Sequence, residues 1–312
     1  APYERGAISL SRAIRKHVGT AGAITLIVQA ALPCLVFYAQ SSGSILEMTG
    51  GTNVAFAPPV DHLSNVLLPI LSRMGVRAEV KSFQRGYYPT GGGNVCMDIQ
   101  SVRAPLHPLL CDERGRIVSV HLVSFGHGPA VTTEISQCLE DKLTNVLRDF
   151  MLSRPQFVVS EFEEVTVHRD VGTVGVEVTN AQRQNERGSK RKRGRAPRDS
   201  SLGAQVWCIT ETGDILSANA LESCRNPEQF QGIVDTLCET ILRRIALVVE
   251  SGACVDEHTA DQLLVYMALA QGHSRIICPP VDPIDSTLHI DTAIHVVQSI
   301  TKCEFVVQNL ES

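Results

Sequence analysis

Two histidines, a carboxylate and an amide are concentrated near the end of the sequence. His258, Asp261 and Gln262 follow one another closely, and His289 comes later, just before Thr292. On a helix, Asp261 and Gln262 lie about one turn from His258, so all three side chains can face one pocket. Imidazole can serve as a nucleophile or carry a proton, so this stretch could do chemistry. Spacing alone, however, leaves His289 as one of ten histidines, and most histidines are structural or surface residues.

The segments that must position these residues are predicted to be helices that alternate with short strands. Apolar helices are followed by a short strand and then by glycine or proline. This recurrence predicts repeated αβ units in one body, interrupted by an α+β insert at about residues 130–223. We predict helices at 25–37, 62–75, 135–150, 226–245, 258–270 and 289–300, and strands at 44–49, 77–83, 94–102, 157–167, 174–178, 204–211, 274–278 and 304–308.

Two of the earlier helices carry polar residues that require partners. Gln29 is a lone amide in an apolar run, and Thr20 is expected to cap its helix. Gln29 therefore either forms a core hydrogen bond or contacts a ligand. Asp61 is expected to cap the next helix, and Pro69 inside that helix predicts a kink or a widened first turn.

A glycine-rich loop follows the predicted strand at 77–83. It reads Arg85-Gly86-Tyr87-Tyr88-Pro89-Thr90-Gly91-Gly92-Gly93. Glycines permit close backbone approach, so the loop could cradle a phosphate with Arg85 beside it. The same residues would equally suit a plain hairpin turn, and a single glycine-rich loop does not distinguish the two.

Length and composition describe a globular protein with a real core. The chain has 312 residues, enough for two domains, and 44% of them are hydrophobic. We expect no membrane span, because the longest apolar run, at 21–39, contains Gln29 and Pro33. We expect no signal peptide, because the opening residues lack a basic segment followed by an apolar one. The chain begins without methionine, which is compatible with a piece of a longer protein. Ten cysteines without any Cys-x-x-Cys pair argue against structural zinc and against disulfides, and fit reduced thiols in a nuclear or cytoplasmic protein.

Basic charge is concentrated in one segment. Residues 181–198 hold eight Lys or Arg and one Glu, so this segment carries +7, whereas the net charge of −5 leaves −12 for the rest. Between Arg183 and Arg195 there are no apolar residues to anchor the chain, and we predict a disordered basic loop at 181–200. It could be a nuclear import signal, an RNA-contacting arm or simply a solvated insertion.

Five motifs in order resemble the RNA 3′-terminal phosphate cyclases. The glycine-rich loop is similar to the family's most distinctive signature. The other four motifs are Thr25-Leu26-x-x-Gln29-x-x-Leu32-Pro33, Gly50-Gly51-Thr52-Asn53 with Ala57-Pro58-Pro59, Glu257-x-x-x-Asp261-Gln262-Leu263, and Leu288-His289-x-x-Thr292. They extend across most of the chain, which is identified as a member of the cyclase branch, of eukaryotic type and incomplete at its N-terminus.

The resemblance implies an α+β fold and a reaction. The large domain, residues 1–129 and 224–312, would consist of repeated units in which two helices pack on a four-stranded sheet. A smaller inserted α+β domain would occupy 130–223. The reaction would be the ATP-dependent conversion of an RNA 3′-phosphate into a 2′,3′-cyclic phosphate, through a histidine–AMP intermediate and an RNA-adenylate. Partners would be ATP and RNA with a 3′-terminal phosphate, in the nucleus, the cytoplasm or both.

The resemblance also implies roles for single residues. His289 matches the family's nucleophile, and its imidazole is substantially neutral at physiological pH. The positions that match ATP contacts are Gln29, Pro58, His258, Asp261 and Gln262. Mg²⁺ would neutralise the triphosphate, with no protein ligand assigned. His295, on the same helix as His289, is expected to be structural.

The chain departs from the family pattern in three places. Nothing in residues 1–19 matches the family's opening glycine-rich segment and helix, so we expect most of the first repeat to be missing from this chain. His258 stands where many relatives place a tyrosine, and the basic loop is an addition. Two alternatives therefore stand beside the enzyme: a non-catalytic relative that serves ribosome assembly, and an inactive truncated cyclase. The former lacks the nucleophile, so His289 favours the enzyme.

Overall fold

The first sheet of the molecule has one layer of two helices packed on one face. In a computed structural model, which describes residues 12–38, 43–157, 166–171, 200–224, 227–280 and 289–308, this sheet has the strand order β1-β2-β4-β3. Strands β1 and β2 are parallel, and β4 runs antiparallel to both β2 and β3. The strands are β1 (Arg12–His17), β2 (Gly43–Gly50), β3 (Ala78–Gln84) and β4 (Gly93–Gln100).

Helix α1 (Ile24–Val36) covers part of this sheet because its apolar residues recur at helical spacing. Ile24, Val28, Leu32 and Val36 are completely buried. The N-cap is Ala23 and not Thr20, so the predicted cap is wrong. Ala23 forms a parallel bridge with Gly51, and this pairing keeps the chain extended until Ile24.

The second helix of this unit widens in front of its proline. It consists of α2 (Val60–His62), a π-helical turn (Leu63–Leu67) and α3 (Leu68–Arg73). Pro69 lacks the N–H that would continue regular pairing, so the widened turn was correctly predicted. The cap prediction for Asp61 is wrong, because the N-cap is Pro59 and the Asp61 carboxylate bonds to Arg85 instead.

A second sheet has the order β7-β6-β8-β9, with two long helices on one face. The predicted strand at 204–211 is part of β8, whereas β6 and β9 were not predicted. Residues 158–165 and 172–199, which include the predicted strand at 174–178 and most of the basic loop, lie outside the described residues. The elements are β6 (Ile117–His127), α4 (Thr133–Leu152), β7 (Thr166–Val171), β8 (Ser200–Thr210), β9 (Ile215–Cys224) and α5 (Phe230–Glu250), the last preceded by a 3₁₀ turn (Pro227–Gln229).

Both faces of this second sheet are covered. Its helical face forms one core with α4 and α5. Its other face contributes Val123, Phe125 and Trp207 to the core of the first sheet. The predicted domain boundaries fall within this unit: 129/130 lies between β6 and α4, and 223/224 lies at the last residue of β9. The division into two domains stays a prediction.

The last part of the chain has two helices and little strand. Helix α6 (Glu257–Ala268) packs against α7 (His289–Thr301). A two-residue strand β10 (Arg275–Ile276) pairs with β5 (Leu110–Cys111). The predicted strand at 304–308 is wrong: in the part of the chain that the structure describes, these residues have no ladder partner. Alternating apolar residues are not sufficient, because a strand needs a neighbour's backbone groups.

No helix among the described residues is long and apolar enough to cross a membrane. Nine of the ten cysteines, all except Cys224, have side chains that the structure describes, and these nine are free thiols. Mixed helices and sheets agree with the predicted α+β class.

Candidate functional site

The five residues that resemble ATP contacts lie on three segments that are joined to one another. Gln29 is half-buried on α1, one turn after Thr25, and α1 packs against α6. The Thr25 hydroxyl donates to the Pro58 carbonyl at 2.8 Å, which ties α1 to the loop before α2. The structure thus brings α1, the Pro58 loop and the first turns of α6 together.

The remaining three of these five residues are on α6. His258 is exposed, Asp261 is half-buried and Gln262 is buried. The Gln262 side-chain amide donates to the His258 carbonyl at 2.6 Å. This bond fixes the orientation of the Gln262 amide relative to the first turn of the helix.

A buried polar cluster holds the first turn of α6. We call it the α6 anchor; it consists of His62, Ser217, Asp256 and Thr259, none of which was predicted as a site residue. Asp256 is the N-cap of α6 and accepts a bond from the Thr259 backbone N–H at 2.9 Å. Its other carboxylate oxygen accepts from the Thr259 hydroxyl at 2.9 Å and from the Ser217 hydroxyl at 2.7 Å. His62 Nε2 lies 3.0 Å from the Thr259 hydroxyl oxygen.

The anchor contains a carboxylate held in its charged form. Burial alone would raise the pKa of Asp256, but the contacts with His62 and Ser217 outweigh it and lower this pKa to about 2. His62 Nε2 is 3.7 Å from the Asp256 carboxylate, and both side chains are almost completely buried. The charge of Asp256 is therefore satisfied inside the protein by hydrogen bonds and by the imidazole.

His258 has an environment that favours neutral imidazole. Burial among protein atoms lowers its pKa, against the Asp256 carboxylate, which raises it. This holds although one side of the residue reaches solvent. A neutral ring at physiological pH suits stacking or hydrogen bonding rather than ion pairing.

Arg85, for which we predict contact with a phosphate or with RNA, is paired with a buried carboxylate. Its guanidinium forms a two-pronged ion pair with Asp61, at 2.6 Å and 2.9 Å, and also donates to Asn53. Both charged side chains are only 5% exposed. The Arg85 guanidinium also lies 4.9 Å from the centre of the Phe125 ring. This buried ion pair accounts for the position of Arg85 without a ligand, and its contact with a phosphate or with RNA stays a prediction.

The glycines of the following loop are explained by backbone packing. A Cβ on Gly86 would lie 2.2 Å from the backbone nitrogen of Gly93, and one on Gly91 would lie 2.6 Å from the Thr20 carbonyl oxygen. Gly91 also has a positive φ of 66°. Tyr87 stacks on His127 of β6, with ring centres 5.3 Å apart. The loop is a tight turn against neighbouring backbone, and its glycines need no phosphate to account for them.

His289 is the first residue of α7, which packs against α6. Its side chain and residues 281–288 lie outside the described part of the structure. The backbone thus places the predicted nucleophile at the start of a helix whose neighbour carries His258.

Only part of the α6 anchor could have been recognised from the sequence. Asp256-Glu257-His258-Thr259 contains an Asp three residues before a threonine at a predicted helix start, and this cap could have been recognised. His62 offered no comparable signal, since its bond to Thr259 joins residues 197 positions apart.

Comparisons with known proteins agree on one family. The sequence profile of the family described as "RNA 3'-terminal phosphate cyclase" matches residues 2–307. A Dictyostelium discoideum protein named "Probable RNA 3'-terminal phosphate cyclase" is 30% identical over 297 residues, covering 95% of this chain and 59% of that protein. Proteins named "RNA 3'-terminal phosphate cyclase" from Drosophila melanogaster and Pyrobaculum aerophilum are 30% and 26% identical, and cover 95% and 92% of this chain. The chain spans 59% of the first relative's length and 69–70% of the lengths of the other two.

Proposed function

The chain belongs to the RNA 3′-terminal phosphate cyclase family, and we propose that it uses ATP to convert an RNA 3′-phosphate into a 2′,3′-cyclic phosphate. The observation that carries this proposal is the convergence of three distant segments. They are α1 with Gln29, the loop with Pro58, and the start of α6, and the hydrogen bonds of Thr25 and His62 join them.

The proposed reaction has three substitutions at phosphorus. A ring nitrogen of His289 attacks the α-phosphorus of ATP, a P–N bond forms, and pyrophosphate leaves. An oxygen of the RNA 3′-phosphate then displaces the histidine, which gives an RNA-adenylate. Finally the neighbouring 2′-hydroxyl oxygen attacks the RNA phosphorus, loses its proton, closes the cyclic phosphate and expels AMP. Covalent catalysis divides one difficult substitution into easier ones.

The nucleotide would bind between α1, the Pro58 loop and α6. The neutral His258 ring offers a flat surface on which adenine could stack. The Pro58 ring offers an apolar surface beside it. Gln29, Asp261 and Gln262 supply polar groups from two facing helices. Among the described residues no group of three His, Cys, Asp or Glu side chains could hold a metal. We propose that Mg²⁺ is bound chiefly through the ATP phosphates, as this ion often is.

RNA with a 3′-terminal phosphate would be the second substrate, in the nucleus, the cytoplasm or both. The basic residues between 181 and 198 could contact the RNA backbone, because lysine and arginine neutralise phosphates. That contact would be independent of base sequence.

Labelling with [α-³²P]ATP and Mg²⁺ tests the nucleophile in the full-length protein. We expect an acid-labile covalent AMP adduct on the wild type and none on His289→Ala. His295→Ala is the matched control, because His295 is an exposed histidine on the same helix, and we expect it to keep the adduct. An adduct that persists in His289→Ala would refute the assignment. A wild type that forms no adduct but co-purifies with ribosome precursors would support a binding role instead.

A further inference from the structure

The α6 anchor contains a hydrogen-bond relay whose direction can be worked out. The Thr259 hydroxyl has one proton, and it donates this proton to the Asp256 carboxylate. Its oxygen must then accept from His62, at 3.0 Å. His62 therefore carries a proton on Nε2, and the relay runs from imidazole to hydroxyl to carboxylate. Ser217 completes the carboxylate's partners from β9.

The ends of this relay lie on separate parts of the fold. His62 belongs to α2, which begins directly after Pro58 and Pro59. Asp256 and Thr259 are the cap and the third residue of α6, the helix that carries His258. The relay thus fixes the distance between the Pro58 loop and the first turn of α6. Hydrogen bonds restrict this distance more closely than apolar contacts would, because hydrogen bonds are directional.

We propose that the α6 anchor positions the nucleotide site: its relay holds the start of α6 against the Pro58 loop, so that the binding groups are arranged before ATP arrives. This inference rests on the proposed function, since it assigns the nucleotide to that gap. The anchor residues would touch no substrate and would act through the helix they hold. Preorganisation of this kind raises affinity by reducing the ordering cost of binding.

Thr259→Val is the sharpest test, because valine has the shape of threonine without the hydroxyl. The substitution keeps the backbone cap to Asp256 and removes both bonds of the hydroxyl. We expect the Kd for ATP, measured calorimetrically on folded protein, to rise roughly tenfold, which corresponds to the loss of about one buried hydrogen bond. Thr259→Ser restores a hydroxyl and should return the Kd to within about threefold of wild type.

Thr236→Val is the matched control. Thr236 is an exposed threonine on α5 whose hydroxyl bonds to its own helix at Gly232, and its replacement should leave the Kd unchanged. A purely structural role for Thr259 would lower the unfolding free energy and leave the Kd of the folded protein unchanged. That result would overturn the inference and leave the proposed function intact. A wild type that binds no ATP would refute both.

A second pair of variants addresses the same relay if Thr259→Val does not fold. His62→Gln keeps an N–H donor that can reach the hydroxyl, whereas His62→Leu removes the donor. We expect His62→Leu to weaken ATP binding and His62→Gln to retain most of it. Equal ATP affinities for these two variants would overturn the inference.

Discussion

Replacing Asp256 by asparagine should change how the stability of the protein depends on pH. The folded protein lowers the pKa of Asp256 from 3.8 to about 2. A carboxylate whose pKa is lower in the folded state stabilises the protein at pH values above its unfolded pKa. That contribution is lost as the pH falls from about 4 towards 2. The shift corresponds to about 2 kcal/mol at neutral pH.

Asparagine keeps one oxygen for the α6 cap and removes the charge. It can still accept from the Thr259 N–H, so the cap itself, worth about 1 kcal/mol, should largely survive. The lost charge leaves the hydroxyls of Ser217 and Thr259 without their strongest acceptor. We therefore expect Asp256→Asn to lower the unfolding free energy at pH 7 by about 2 kcal/mol, a typical cost for breaking buried bonds to a charged group.

Urea unfolding at several pH values measures this effect. The difference in unfolding free energy between wild type and Asp256→Asn should be nearly constant from pH 7 to 4.5. It should fall by about half at pH 3, midway through the titration. Asp149→Asn, at an exposed site on α4, is the control and should show no such change. If the difference stays constant to pH 3, or grows as the pH falls, the account of the anchor's charge is refuted.

Three other measurements follow from buried groups. Arg85→Leu should lower the unfolding free energy by about 3–5 kcal/mol, because it leaves the buried Asp61 carboxylate without its cation. Adding Asp61→Leu should restore much of the lost unfolding free energy, and a double variant that restores none would contradict the pairing. Gln205→Met should raise the unfolding free energy by about 1–2 kcal/mol, because both polar atoms of this buried amide lack a hydrogen-bond partner among the described residues. A lower unfolding free energy, measured by urea unfolding, would show that the amide does form hydrogen bonds in the folded protein. Burial raises the pKa of the Cys208 thiol to about 12. Iodoacetamide should therefore modify exposed Cys34 in the folded protein and Cys208 only after unfolding. Mass spectrometry that finds Cys208 modified in the folded protein would contradict its burial.

Local patterns in the sequence were sufficient for the helices and insufficient for several strands. Helix α1 was predictable because four apolar residues at helical spacing meet one core. Strand β6 was missed because its alternation stops at Leu122, from which the strand is buried on both faces as far as Gly126. The caps predicted at Thr20 and Asp61 are wrong because contacts distant in sequence decide both helix starts. The bridge between Ala23 and Gly51 sets the start of α1, and the Asp61 carboxylate binds Arg85.

In the candidate site too, contacts within one helix could be predicted from the sequence and contacts between distant segments could not. His258, Asp261 and Gln262 are neighbours on one helix, so their proximity could be predicted from spacing. The contact of His62 with Thr259 depends on how separate parts of the chain pack together, and spacing carries no information about that packing. Arg85 shows the same limit, because its ion pair with the buried Asp61 carboxylate joins residues 24 positions apart and could not be read from the glycine-rich loop beside it.

The second sheet, covered on both faces, has a consequence for how the molecule would come apart. Val123, Phe125 and Trp207 belong to the core of the first sheet, and Ser217 bonds across to the cap of α6. Separating the two sheets would expose apolar surface and break that bond at the same time. The two sheets should therefore unfold in one cooperative transition, which would also release the first turn of α6, where we propose that adenine binds.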